Sequence, residues 1–350
     1  MKRWLLLGLL VCVGVGYLAR VPLAERILPS LSQRMMAQMP TIDDADALHV
    51  LVCGAGGPLA DPIRSGPCIA VWANGVLLVF DAGSGGARNL MARRLPVGET
   101  SAVFLTHVHS DHIDGLGELA LMRWVNQANT TPLPVLGPPA VESVVAGFNQ
   151  AYAVDAVYRQ AHHGDAVAPL SGRGMTAMTS DVPAEGEITL VWRERGVSVE
   201  MFAVDHSPVD QAVGYRVSYG GRTIVISGDT AVSENLQHFA EGADVLFHEA
   251  LSARLVNMLN ASAEAVGNQI MTKITADILD YHTTPVEAAE IARNARVGAL
   301  VYYHVVPALI APGMGAIFED GVAEVFANYT VSQDGTRVTL PTNEAVIEID

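Results

Sequence analysis

Lysine is almost missing from this chain. Lys2 and Lys273 are the only two in 350 residues, and 21 basic residues face 37 acidic ones for a formal charge of −16. A protein that grips a nucleic-acid backbone gathers its cations on one surface, and no such cluster stands in the sequence. The acidity by itself accounts for solubility. Cysteine is as scarce, with Cys12, Cys53 and Cys68 alone, too few for a fold built on disulfides. Cys12 belongs to an apolar run. Cys53 and Cys68 leave a disulfide open in an exported protein, but both sit in apolar, strand-like runs, which reads as two buried free thiols.

Long hydrophobic runs are missing too, with one exception. Trp4 to Ala19 is apolar, behind Met1-Lys2-Arg3 and ahead of Arg20. The run is short for a membrane span and has the charged start and apolar middle of a secretory signal. Tyr17 occupies the place where a small residue is wanted for cleavage, so an uncleaved anchor stays open. Residues 1–20 are therefore read as a signal peptide or signal anchor. The protein is expected to be exported, either periplasmic or anchored facing the periplasm. It would meet the membrane only through residues 4–19, and only if uncleaved. Residues 21–46, with Pro22, Pro29 and Pro40, read as a linker in which Leu23 to Met39 can form a helix, and 47–350 as one domain.

Within that domain, strands alternate with helices. Short apolar runs predict strands at His49–Cys53, Cys68–Trp72, Val76–Phe80, Ala102–Leu105 and Leu133–Leu136. A second set follows at Ile188–Val191, Val197–Val204, Val213–Tyr219, Thr223–Ser227, Val245–Phe247 and Ala299–Tyr303. Asn74-Gly75 and Gly220-Gly221 mark hairpins. Helices are expected at Arg88–Arg94, Ala140–Ala151, Val232–Phe239 and Pro285–Arg293, with a helix-rich stretch from Leu251 to Leu279. Residues 152–186 read as the least regular part, and His162-His163 as a solvated loop pair. Two halves stacked sheet to sheet with helices outside give an α/β fold, a four-layer αββα sandwich of mixed sheets.

One stretch organises this chain. Thr106-His107-Val108-His109-Ser110-Asp111-His112 follows the strand ending at Leu105 and precedes a helical pattern. A turn there can aim His107, His109, Asp111 and His112 at one point, and imidazole nitrogen with carboxylate oxygen suits zinc and its neighbours. Further ligand types stand at other strand ends: His206, Asp229 in Ser227-Gly228-Asp229-Thr230, and His304. Together they give the ligand number that two metals need if one carboxylate bridges them, and Asp229, with two oxygens, is the natural bridge. Gly54-Ala55-Gly56-Gly57-Pro58 allows a sharp turn and close approach to a site.

These residues resemble the metallo-β-lactamase superfamily, and in finer detail its ribonuclease Z-like and arylsulfatase-like branch. The resemblance rests on His107-x-His109-x-Asp111-His112, His206, Ser227-Gly228-Asp229-Thr230 and His304, and further on Phe80-Asp81-Ala82-Gly83, His248-Glu249-Ala250 and His282-Thr283-Thr284. It covers about residues 48–305. It implies two Zn²⁺, with Mn²⁺ or Fe²⁺ as alternatives. His107, His109 and His206 would hold one, Asp111, His112 and His304 the other, and Asp229 would join them. The metal pair would carry a bridging hydroxide as nucleophile, held by Asp111. His282 would donate a proton to the leaving group, with Glu249 orienting it. Thr283 or Thr284 gives His282 a competing role beside a helix cap.

The resemblance alone does not choose a substrate. Ala151 to Gly186 holds only Arg159 and Arg173 as basic residues, and the N-terminal run points to export. The expectation is thus an exported dinuclear-zinc hydrolase of small sulfate or phosphate esters, arylsulfatase-like, with a small anionic ester rather than a nucleic acid as partner. The alternative is a phosphodiesterase or ribonuclease Z-like endoribonuclease, ahead of a lactonase or a non-catalytic binding protein. A homodimer is left open.

Overall fold

The fold is that of a computed structural model, which describes the backbone of residues 2–37 and 42–350 and the side chains of 17–36 and 42–350. Two units emerge, Met1–Pro40 and Thr41–Asp350. The first is a helix, α1 (Lys2–Ala37), with Pro22 and Pro29 inside it. It runs through the boundary expected between a signal and a linker. The apolar segment expected to direct export falls largely outside the residues whose side chains are described. Among the described residues no helix is long and apolar enough to cross a membrane.

The second unit is the sandwich. Its first sheet holds β1 (Ala47–Gly54), β2 (Cys68–Ala73), β3 (Val76–Phe80), β4 (Thr100–Phe104), β5 (Leu133–Gly137) and β6 (Met175–Thr179). The second sheet holds β7 (Ile188–Glu194), β8 (Val197–Ala203), β9 (Val213–Tyr219), β10 (Arg222–Ile226), β11 (Val245–Leu251), β12 (Ala299–Val306) and β13 (Tyr329–Val331). The chain then returns, and β14 (Arg337–Pro341) and β15 (Glu348–Ile349) extend the first sheet beside β1. Both sheets are mixed, with antiparallel hairpins such as β2–β3 and parallel pairs such as β3–β4 and β11–β12.

Strands buried on both faces read as near-continuous apolar runs, and β2, β3, β11 and β12 are buried at every position. Inward residues of both sheets, among them Val71, Phe80, Phe104, Tyr215, Phe247 and Tyr303, form the core between the sheets. Outward residues of the first sheet pack under α2 (Gly86–Ala92), α4 (Leu116–Asn126) and α5 (Val141–His163), which flank the short α3 (Ser110–Ile113). Outside the second sheet lie α6 (Glu234–Phe239), α7 (Ala253–Ala265) and α9 (Pro285–Asn294), with α8 (Gln269–Asp277) beside α7.

Three sequence expectations are corrected. Residues 152–163 continue α5 instead of forming an irregular loop, so His162 and His163 end a helix. Residues 175–179 form the edge strand β6. Cys53 and Cys68 are joined in a disulfide, their Cα atoms 4.9 Å apart, not two free thiols. Antiparallel pairing sets Gly54 opposite Cys68, and a register shift after Val52 brings Cys53 alongside it.

Candidate metal centre

The site forms where strand ends of both sheets meet. His107 and His109 lie in the turn after β4, and Asp111 and His112 lie on α3. The backbone N–H of Val213, at the start of β9, donates to the Thr106 carbonyl at 3.0 Å and ties this turn to the second sheet. His206 follows β8 and Asp229 follows β10. Gly228 takes φ of +64° to make the turn before Asp229, and any side chain there would also press on Thr106.

His304 does not follow its strand as expected. It sits inside β12, where Glu249 pairs with Tyr303 but Ala250 pairs with Val305. His304 is the extra residue of this bulge, at φ of +47°, and bulges re-aim side chains. The glycine loop then reaches the site, as its composition suggested. Val305 donates to the Ala55 carbonyl at 2.9 Å, and a Cβ on Gly57 would lie 3.0 Å from the His304 ring.

All seven expected ligand residues converge. His107, His109, His206 and Asp229 form one group and Asp111, His112 and His304 the other, with ligand atoms within 4.8 Å of one another in each. Asp229 stands between them. Its Oδ1 is 3.3 Å from His112 Nε2, while Oδ2 is 3.2 Å from His304 Nε2 and 3.9 Å from His107 Nε2. Asp111 Oδ2 lies 3.2 Å from His304 Nε2.

The donors fit a metal. His112 Nε2 and Asp229 Oδ1 are buried without a hydrogen-bond partner, which a cation between them would satisfy. His107 Nε2 and His206 Nε2 both face His109 Nδ1, at 2.9 and 3.4 Å, so nitrogen lone pairs point together. Outer contacts fix the rings. His112 Nδ1 donates to Asp81 Oδ2 at 2.8 Å, and His206 Nδ1 to the Tyr281 carbonyl at 2.9 Å. Such partners set the tautomer and aim Nε2 inward.

Charge follows the same plan. Burial holds the pKa of His107 well below the usual histidine range, which suits a neutral ligand. Burial also opposes charge on Asp229, but His304 and His112 outweigh it and hold the carboxyl well below its usual value.

His282 and Glu249 form a separate pair beside the cluster. His282 Nδ1 donates to Glu249 Oε1 at 3.0 Å, and the same oxygen accepts from the backbone N–H of Thr283 and Thr230. Burial lowers the His282 pKa, but the Glu249 charge and hydrogen bond prevail and lift it to about 9. The cap of α9 is Thr284, in a capping box with Glu287, so His282 is free of that task. His248 donates from Nδ1 to the Glu249 carbonyl at 2.7 Å. Sequence reasoning gave no role to Asp81, which accepts from Thr106 as well as His112. A carboxylate at a strand end before small residues was the available signal.

Residues 77–305 match the model of the beta-lactamase superfamily domain. Ribonuclease Z of Mycolicibacterium paratuberculosis is 36% identical over 266 residues, covering 75% of this chain and 88% of the relative. Among solved structures, the metallo-beta-lactamase fold protein YhfI from Bacillus subtilis aligns with a TM-score of 0.60 at 18% identity, over 84% of this chain and 100% of its own. The short form of human tRNase Z aligns with a TM-score of 0.60 at 21% identity, over 84% of this chain and 99% of its own.

These relatives overturn the small sulfate or phosphate ester, arylsulfatase-like expectation. That expectation leaned on the scarcity of basic residues at 151–186 and on the N-terminal run, neither of which belongs to the metal cluster. Relatives that match three quarters of the chain are called ribonuclease Z. The cluster is a divalent-metal site, and the protein is a metal-dependent hydrolase acting on ester bonds. The chain belongs to the metallo-β-lactamase superfamily, in its ribonuclease Z-like branch.

Proposed function

We propose that this chain is a ribonuclease Z-like endoribonuclease that hydrolyses phosphodiester bonds of RNA with two zinc ions. The observation that carries the reading is Asp229, which stands between the two ligand groups: Oδ1 lies 3.3 Å from His112 Nε2, and Oδ2 lies 3.2 Å from His304 Nε2 and 3.9 Å from His107 Nε2. His107, His109 and His206 would hold one ion, and Asp111, His112 and His304 the other, with Asp229 between. A bound metal pair acidifies a water and neutralises a phosphodiester's charge. Asp111 accepts a hydrogen bond from the attacking water and orients it. His282, held cationic by Glu249 at Nδ1, gives the proton on Nε2 to the leaving oxygen. Glu249, fully buried, positions His282 and touches no substrate.

The test is cleavage of a structured RNA bearing a 3′ trailer by the zinc-loaded chain, with bis(nitrophenyl) phosphate alongside. Cleavage at a defined position supports the reading. Hydrolysis of the nitrophenyl diester with the RNA left intact would overturn it. We further infer that the folded chain resides in an oxidising compartment, which the Cys53–Cys68 disulfide supports. Fractionation with thiol trapping tests this, and a reduced pair in a cytoplasmic pool would refute it.

A further inference from the structure

The cavity above the metal cluster has a volume of about 430 Å³, within the range of small-molecule sites. Its floor is polar and belongs to the centre already described, with His109, Asp111, Asp229, His282 and His304. Its walls are of another kind. Val256 and Leu259 on α7, Met271 and Ile274 on α8, and Ile278 and Val306 make them mostly apolar, with Ser262, Asn268 and Thr275 as the polar side chains among them. Pro58 and Leu59, at the tip of the glycine loop, close the opposite side.

The walls argue about the ligand. Among the described residues lining this cavity none is lysine or arginine, and Tyr281 is the one aromatic ring besides histidine. These walls hold neither cations in number to track a nucleic-acid backbone nor rings in number for base stacking, so they offer a subsite apart from the metal floor at which a phosphodiester would react. Flexible aliphatic side chains instead match an aliphatic chain, which gains by burial without needing hydrogen bonds. The floor, once it holds divalent cations, calls for an anion. α7 and α8 also carry apolar residues beyond the cavity, with Ile270 76% exposed, so the hairpin is apolar on more than its inner face.

We propose that the α7–α8 hairpin and the glycine-loop tip form a binding site for an aliphatic chain with an anionic head group, head on the metal floor and chain between the helices. The proposal rests on the divalent-metal site and not on RNA cleavage. It concerns binding, whether or not the bound molecule is turned over.

Calorimetry of the zinc-loaded full chain with n-alkylphosphonates, methyl through decyl, tests it. Affinity should rise about four-fold per added methylene until the cavity fills. Leu259→Asp and Ile274→Asp, both at partly exposed positions, should flatten that rise while leaving metal content and methylphosphonate binding unchanged. Leu259→Ala should weaken the longer chains alone and serves if the charged variants do not fold. An affinity independent of chain length in the wild type, or no binding by any member, would overturn the proposal. So would tighter binding of nucleoside 5′-monophosphates than of every alkylphosphonate. None of these readouts requires turnover, so failure of the RNA assay leaves the test intact.

Discussion

At the scale of single residues, the proposed mechanism separates metal holding from proton delivery. His282→Ala should leave metal content nearly unchanged, since His282 lies outside both ligand groups, yet slow hydrolysis by roughly 10²–10⁴-fold if it is a general acid. The loss should be large for an alkyl leaving group and small for nitrophenolate, which departs without a proton. Equal losses for both would remove the acid role. Its pKa of about 9 lies above the ordinary histidine value of about 6.5. In the metal-free chain the His282–Glu249 pair therefore contributes stability that is complete below pH about 6.5 and lost as pH rises through about 9. Glu249→Gln should abolish that limb of the melting-temperature profile, and an unchanged limb would refute the assignment. Asp81→Ala frees His112 Nδ1 and should weaken metal affinity by about 10–100-fold in chelator competition. The seven candidate ligands could be read from sequence because each stands at or near the end of an apolar strand run, and four of them crowd into His107–His112. Asp81 also stands at a strand end, but its role was not legible, because its partner His112 is far along the chain and the contact exists only once β3 and β4 are paired.

At the scale of elements, the disulfide is the feature most open to test. It closes the loop Gly54–Pro67, whose Gly57 passes close to the His304 ring and whose tip lines the cavity. Removing a bond across such a loop costs about 3 kcal/mol in the chain-entropy account. Cys53→Ser with Cys68→Ser should lower the melting temperature and loosen the group containing His304 before the other, read as metal retained after mild chelation. An unchanged melting temperature would show that strand pairing alone fixes the loop. The buried strands were legible because their apolar runs are short and bounded by turn residues. The end of α5 was not, since Val154, Val157 and Tyr158 face solvent and leave no clear apolar stripe. Edge strand β6 alternates weakly and is half exposed, so its identity comes from pairing with β5.

At the scale of the whole molecule, the αββα architecture follows from two strand-rich halves whose inward faces bury each other. The sequence pattern carried that much. It did not carry the return of β14 and β15 to the first sheet, because two short strands at the far end of the chain from β1 reveal their partner only in three dimensions. Composition pointed away from nucleic acid although the relatives are ribonuclease Z, since net charge reports on the surface and most of the candidate ligands are buried. In the proposed centre Asp229 joins the two metal positions. The direct measurement is metal content per chain, by elemental analysis after gentle purification without chelator, for wild type and Asp229→Ala in parallel. The account predicts close to two divalent ions in the wild type and loss of most of both in the variant. A wild type that holds none, or a variant that keeps its full complement, would contradict it.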